Sequence, residues 1–255
     1  MSHKKNIVAY DLFIRVFHWT FAGLFIIAMV IANTVDDEHA FFAYHKMAGL
    51  MLMFVTVLRI VWGIFGSKTT RFTSFKFHPK DLLNYFSELF ETNSKDYVGH
   101  NPASSYSAIA MFILALGLGT TGILMSFGKE SEWIEEAHEL LANGFLFIVV
   151  LHVAGVVLHH ARKHDGMAFS MLTGRKDCEG EMNSLPSIFP FGGILFALLT
   201  VMMGIYLFSN FDPKTGQLSL IGGTKLQLFE SDQEHPSQYN RHNSEENEED
   251  DHDDD

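Results

Sequence analysis

The residues best suited to chemistry in this chain are histidines, of which there are 14. His3, at the N-terminus, and His235, His242 and His252, in a polar C-terminal stretch, read as solvated. His18, His45, His138 and His152 lie inside or at the edge of apolar runs, where an ionisable side chain is costly and usually functional. One such histidine alone reads as a helix–helix hydrogen bond. Four at matching depths read as ligands, because neutral imidazole is the commonest metal-binding side chain. Cys178 is the only cysteine, which excludes an internal disulfide and a thiolate cluster.

The elements that must position these histidines are long. Stretches 12–33, 41–65, 106–127, 134–160 and 188–208 each reach the roughly 20 residues that cross a bilayer as helix. Their phenylalanines, their internal glycines and their near absence of acidic side chains suit helices packed in lipid. The expected fold is therefore all-α and integral to the membrane: a four-helix transmembrane bundle plus a fifth transmembrane helix. The first run contains Arg15 and His18 and no cleavage site follows it, so it is expected to stay as helix one. Residues 79–90 place Leu82, Leu83, Phe86, Leu89 and Phe90 on one face, as an interfacial helix would. Neither a phosphate-cradling glycine loop nor a basic nucleic-acid patch is present. Of the net charge of −12, −11 belongs to the tail beyond residue 228, with twelve acids and one arginine. That composition cannot support a core and reads as disordered.

Charge sets the expected orientation. Lys4, Lys5 and Arg15, then Lys68, Arg71, Lys76 and Lys80, then Arg162, Lys163, Arg175 and Lys176 flank one set of helix ends. Asp36, Asp37 and Glu38, then Glu130, Glu132, Glu135 and Glu136, flank the other. Short positive segments stay inside, so the N-terminus is expected in the cytoplasm and the tail in the periplasm. At about 1.5 Å per residue, His18 and His152 then share a cytoplasmic depth and His45 and His138 a periplasmic one. His138 and His152, 14 residues apart, lie about 21 Å apart along the axis and within roughly 40° of one face. One helix can thus serve two stacked cofactors, and a trans pair of imidazoles on haem iron favours electron transfer over oxygen binding. Gly49, Gly63, Gly117, Gly119, Gly122, Gly144 and Gly155 offer either room for haem or ordinary close helix packing. Arg15 and Arg59, near helix ends, suit either propionate pairing or snorkelling to the interface. His39, His159 and His160 are expected where water or headgroups satisfy them, and His100 in a surface turn, Gly99-His100-Asn101-Pro102.

Arg15-Val16-Phe17-His18-Trp19, His45 with Gly49, Arg59, Trp62 and Gly63, the turn at 99–102, and His138, His152 and Gly155 with Met171-Leu172-Thr173-Gly174-Arg175-Lys176 form a combined pattern. It resembles the prokaryotic di-haem cytochrome b-561 family, related to the b-type membrane subunits of nickel–iron hydrogenases and formate dehydrogenases. The resemblance covers residues 7–176 and implies two haem b groups, ligated by His18 with His152 and by His45 with His138, and a quinone as substrate. The expected organisation is a di-haem domain over 1–177, a fifth span over 188–208 and an acidic, disordered tail over 209–255. The expected function is electron transfer in a respiratory chain between the quinone pool and a periplasmic partner, a cytochrome c or a dehydrogenase subunit. Alternatives are a stand-alone quinone reductase acting on a small molecule such as superoxide and, in another class, a histidine-based metal or proton-coupled transporter. The five runs lack the central acidic residues and broken-helix signals that a transporter of that kind would use.

Overall fold

The computed structural model describes residues 4–66, 70–75, 77–88, 101–128, 131–163, 166–179 and 190–229. Expectations for His3, for Gly99 and His100, for Leu89 and Phe90 and for the acidic tail from residue 230 lie outside the described residues.

Strand β1 (Lys4–Val8) leads into α1 (Leu12–Thr34), and a 3-10 turn at Ala40–Phe42 opens α2 (Ala43–Phe65). A short helix, α3 (Pro79–Glu88), precedes α4 (Pro102–Ser126) and α5 (Glu132–Lys163). Then come α6 (Met167–Thr173), β2 (Arg175–Glu179), α7 (Pro190–Asn210) and strands β3 (Phe211–Asp212), β4 (Gln217–Ser219) and β5 (Lys225–Gln227). Helices α1, α2, α4, α5 and α7 are long and apolar enough to cross a membrane, making this a multi-pass membrane protein. For orientation in the text, the end of the bundle where α1 starts is the near end and the opposite one the far end.

Local sequence explains where the helices begin. Asp11 caps α1, its carboxylate accepting the Ile14 N–H at 3.0 Å. Asn101 caps α4, its side-chain oxygen accepting the Ser104 N–H at 2.7 Å, and Pro102 sits in the first turn, where no N–H is missed. Helix α5, at 32 residues, is about 48 Å long and outreaches the hydrocarbon layer. Its polar ends explain the excess: Glu132, Glu135 and Glu136 open it and Arg162 and Lys163 close it, matching the helix dipole at both ends.

The core lies between α1, α2 and α4, where Phe13, Phe17, Phe21, Leu52, Val55 and Phe112 are buried. Helix α7 packs on α1 and α2. The approach is close enough to require glycine: a Cβ at Gly193 would stand 3.0 Å from the backbone of Leu12 and Phe13. Helix α5 packs backbone-close on α4 and α6. It reaches α1 through rings, Phe145 meeting Phe25 at 4.4 Å and Phe21 at 5.8 Å. Only 6% of its apolar window is buried, against 22–33% in the other four, so α5 has a side that protein atoms do not cover.

Two small sheets were not expected. At the near end, β1 pairs antiparallel with β2 in register Lys4 with Glu179, holding the N-terminus to the segment after α6. At the far end, residues 211–229 form the three-stranded sheet β3–β4–β5. This corrects the extent of the tail, expected to be disordered from 209. Leu218, Leu226, Leu228 and Phe229 are buried against Ala43, Met47 and Leu207, which gives this segment a core. Its turns use Gly216, Gly222 and Gly223 at positive φ. Asp212 accepts the Lys214 N–H at 2.9 Å and the Thr215 hydroxyl at 3.0 Å, contacts that hold its carboxyl below the usual aspartate range.

Candidate haem-binding site

The four histidines meet as two pairs. Near the near end, the rings of His18 on α1 and His152 on α5 stand 6.5 Å apart. Towards the far end, the rings of His45 on α2 and His138 on α5 stand 6.3 Å apart. The separation is informative. A metal–imidazole bond of about 2 Å on each side places two rings flanking one metal roughly 6 Å apart between centres. Both pairs are therefore too wide for direct hydrogen bonding between rings and have a spacing at which the two imidazoles could hold one metal between them. Among the described residues, no cluster of three or more His, Cys, Asp or Glu could hold a metal alone. Two imidazoles suit a macrocycle that brings its own equatorial nitrogens.

The ring nitrogens turned away from each pair are held differently. His45 Nδ1 lies 2.8 Å from the Ala28 carbonyl, which only accepts, so this nitrogen carries the proton and Nε2 keeps a free lone pair. His138 Nδ1 lies 2.7 Å from Thr121 Oγ1. With the Thr121 proton given to the carbonyl of Gly117 at 3.0 Å or Leu118 at 3.1 Å, the hydroxyl accepts from His138, in the same tautomer as His45. His152 Nδ1 has a longer contact, 3.4 Å to Ser107 Oγ, whose proton goes to the Ser104 carbonyl at 3.2 Å. Among the described residues, the ring contacts of His18 are with His152 and, edge-on at 5.5 Å, with Trp19. Orienting bonds of this kind normally hold a metal-ligating histidine through its second nitrogen. Helix packing makes room for them: a Cβ at Gly122 would already touch His138 Cε1 at 3.6 Å.

The two arginines contact a backbone carbonyl, in the case of Arg15, and phenylalanine rings, in the case of Arg59. Arg15 donates to the Leu172 carbonyl and, with Trp19 donating to the Met171 carbonyl at 3.1 Å, fastens α1 to the end of α6. Arg59 is 1% exposed, and its guanidinium lies 5.1 Å from the Phe72 ring and 5.9 Å from those of Phe17 and Phe112. Cation–π attraction offsets part of its desolvation. Arg59 Nη1 and Arg15 Nε are buried without a hydrogen-bond partner among the described residues. Arg59 also has the Asp11 carboxylate acting on it and Arg15 the Leu172 carbonyl, so each guanidinium is partly satisfied within the protein and keeps one buried N–H for a further acceptor.

One expectation about the remaining histidines is corrected. His159 is not left to water or headgroups: it is 2% exposed, with Nδ1 3.1 Å from the Tyr85 hydroxyl. Asn101, already the cap of α4, donates to the same hydroxyl at 3.0 Å. The cluster ties α3, α4 and α5 together at the near end. His39 is bland as expected, exposed and accepting the Phe41 N–H at 3.0 Å. Thr121, Ser107 and the Tyr85–His159 contact were missed. The signal available for them was weak: Thr121 and Ser107 each stand one helix away from a ligand, but hydroxyls are common in membrane helices for local reasons.

A family model, that of prokaryotic cytochrome b561, matches residues 9–174. The chain belongs to the prokaryotic cytochrome b561 family. Membership implies a membrane electron carrier that binds haem b through histidines, and the matched region contains all four paired histidines. It ends before α7 and the β3–β5 sheet, which are additions to the family domain. No curated protein and no solved structure matches the chain.

Proposed function

We propose that this cytochrome b561 holds two b haems, one between His18 and His152 and one between His45 and His138, and passes electrons between quinone and a redox protein. The carrying observation is the pair of ring separations, 6.5 and 6.3 Å, at two depths on one helix. Haem supplies reversible one-electron iron chemistry. The protein's part is to hold the imidazoles apart at ligating distance, to keep Nε2 unprotonated through bonds to Nδ1, and to surround the pairs with Phe, Leu and Val. Arg59 Nη1 and Arg15 Nε are the donors for propionate carboxylates.

Quinone chemistry needs protons as well as electrons. The His159–Tyr85–Asn101 cluster supports a quinone site at the near end, because it places exchangeable protons two helical turns from His152 on the same face of α5. The Lys and Arg excess supports a cytoplasmic near end. The far haem then faces the periplasm, on the same side as the acidic tail, which suits a basic partner such as a cytochrome c by raising its rate of encounter.

Pyridine haemochrome analysis of purified protein should give two non-covalent b haems per chain, and His152→Ala should retain only the far one. Protein made with ample haem and containing none would end this reading. For orientation, a cysteine reporter at Asp37 should react with an impermeant reagent from the periplasm and one at Arg71 should not; the reverse pattern would invert the assignment.

A further inference from the structure

The β3–β5 sheet has two turns of opposite character. Pro213-Lys214-Thr215-Gly216, between β3 and β4, is polar, and Lys214 is exposed. Leu220-Ile221-Gly222-Gly223, between β4 and β5, carries no charge, and Ile221 is 86% exposed. An isoleucine so bare at a tip, just ahead of two glycines, contributes little to the fold of the sheet. The two turns sit at opposite ends of β4, so the sheet directs them to different places.

The apolar turn is directed back along the membrane helix. The Tyr206 hydroxyl of α7 donates to the Ser219 carbonyl at 3.3 Å, fastening the base of the turn one helical turn inside the end of α7. Beyond it, Leu220 and Ile221 form one wall of a groove of about 480 Å³ whose other walls are Phe54 of α2 and Leu199, Met202 and Met203 of α7. Leu199 lies eleven residues before Asn210, so the groove reaches about 16 Å from the end of a helix about 31 Å long. Beside it, Val201, Ile205 and Phe208 continue the exposed apolar stripe of α7. A stripe of that kind on a spanning helix faces hydrocarbon, and the turn is continuous with it.

We propose that the turn Leu220-Ile221-Gly222-Gly223 is inserted into the bilayer beside α7 and that lipid acyl chains fill the groove it forms with α7 and α2. The sheet is then a membrane-seated cap, with its apolar turn in lipid and Lys214 in water. The two glycines let the tip fold sharply, and Ile221 gains by leaving water, as a buried aliphatic side chain does. The inserted turn belongs to the segment outside the family domain and is independent of haem ligation.

Spin labelling of the full chain in phosphatidylcholine–phosphatidylglycerol liposomes tests it. Nitroxides would be placed at Ile221→Cys and, separately, at Lys214→Cys, both in a Cys178→Ser background. Both positions are exposed, and gel filtration checks that the variants remain folded. Power saturation compares collision with oxygen, which concentrates in the bilayer, and with a nickel chelate, which stays in water. The label at 221 should show an oxygen-to-nickel accessibility ratio several-fold above that at 214. Equal ratios would place the turn in water, and a label at 221 reached by neither collider would place it against protein; either result overturns the proposal.

Discussion

The two histidine pairs have nearly the same ring separation but unequal support. At the far pair both outer nitrogens are tied, His45 to the Ala28 carbonyl at 2.8 Å and His138 to Thr121 at 2.7 Å. At the near pair one ring has a 3.4 Å contact to Ser107 and the other rests on Trp19. Equal spacing with unequal tethering separates two tasks usually described together. Helix packing sets where the rings stand, while the bonds to the second nitrogen set how little they must be ordered when a metal arrives. The far site is therefore the more preorganised.

The comparison is broken most directly by removing one ligand from each pair. In His45→Ala, His138 stays fixed by Thr121, so part of the far haem should remain as a five-coordinate, high-spin species. In His18→Ala, the remaining His152 is weakly held, and the near haem should be lost altogether. Visible and electron paramagnetic resonance spectra distinguish these results. Complete loss in both variants would show that tethering the second ligand does not matter.

A finer test removes the tether and keeps the ligand. Thr121→Val preserves shape but deletes the acceptor for His138, and losing such an outer-shell partner typically costs about 10–100-fold in metal affinity. Haem titration into the apoprotein should show that weakening at the far site alone. Ligation at the near site should be unchanged, since Ser107 and His152 lie several turns away along α4 and α5.

These contacts also mark how far the sequence could be read. The spans and the paired depths were legible because charge is costly in hydrocarbon, so four histidines in apolar runs stand out. Thr121 was not, because a threonine in a membrane helix is ordinarily satisfied by its own helix, as Thr120 is by the Leu116 carbonyl at 2.8 Å. The bond of Arg15 to the Leu172 carbonyl was not legible either, since that partner lies 157 residues away and no periodicity encodes it. The β1–β2 pairing is equally non-local. The β3–β5 sheet was hidden by composition: its few buried leucines are spaced by turn residues and adjoin a strongly acidic stretch. Haem identity rests on the family relation and on spacing together.

The smallest expected effect is the sharpest test of the comparison. Ser107→Ala deletes the hydroxyl near His152, yet at 3.4 Å that contact is beyond the usual range for a strong N–H···O bond and contributes correspondingly little. Its hydroxyl proton is already given to the Ser104 carbonyl of the same helix, so the substitution also removes a local bond that α4 does not need for its fold. Near-site haem affinity should fall by less than about threefold, on the order of 0.6 kcal/mol or less. A loss matching that of Thr121→Val would mean that binding draws His152 and Ser107 together, making the two sites equally tethered once loaded. Adding Thr121→Val to Ser107→Ala separates the sites: with independent tethers, each haem should respond only to its own hydroxyl, and the two losses should add.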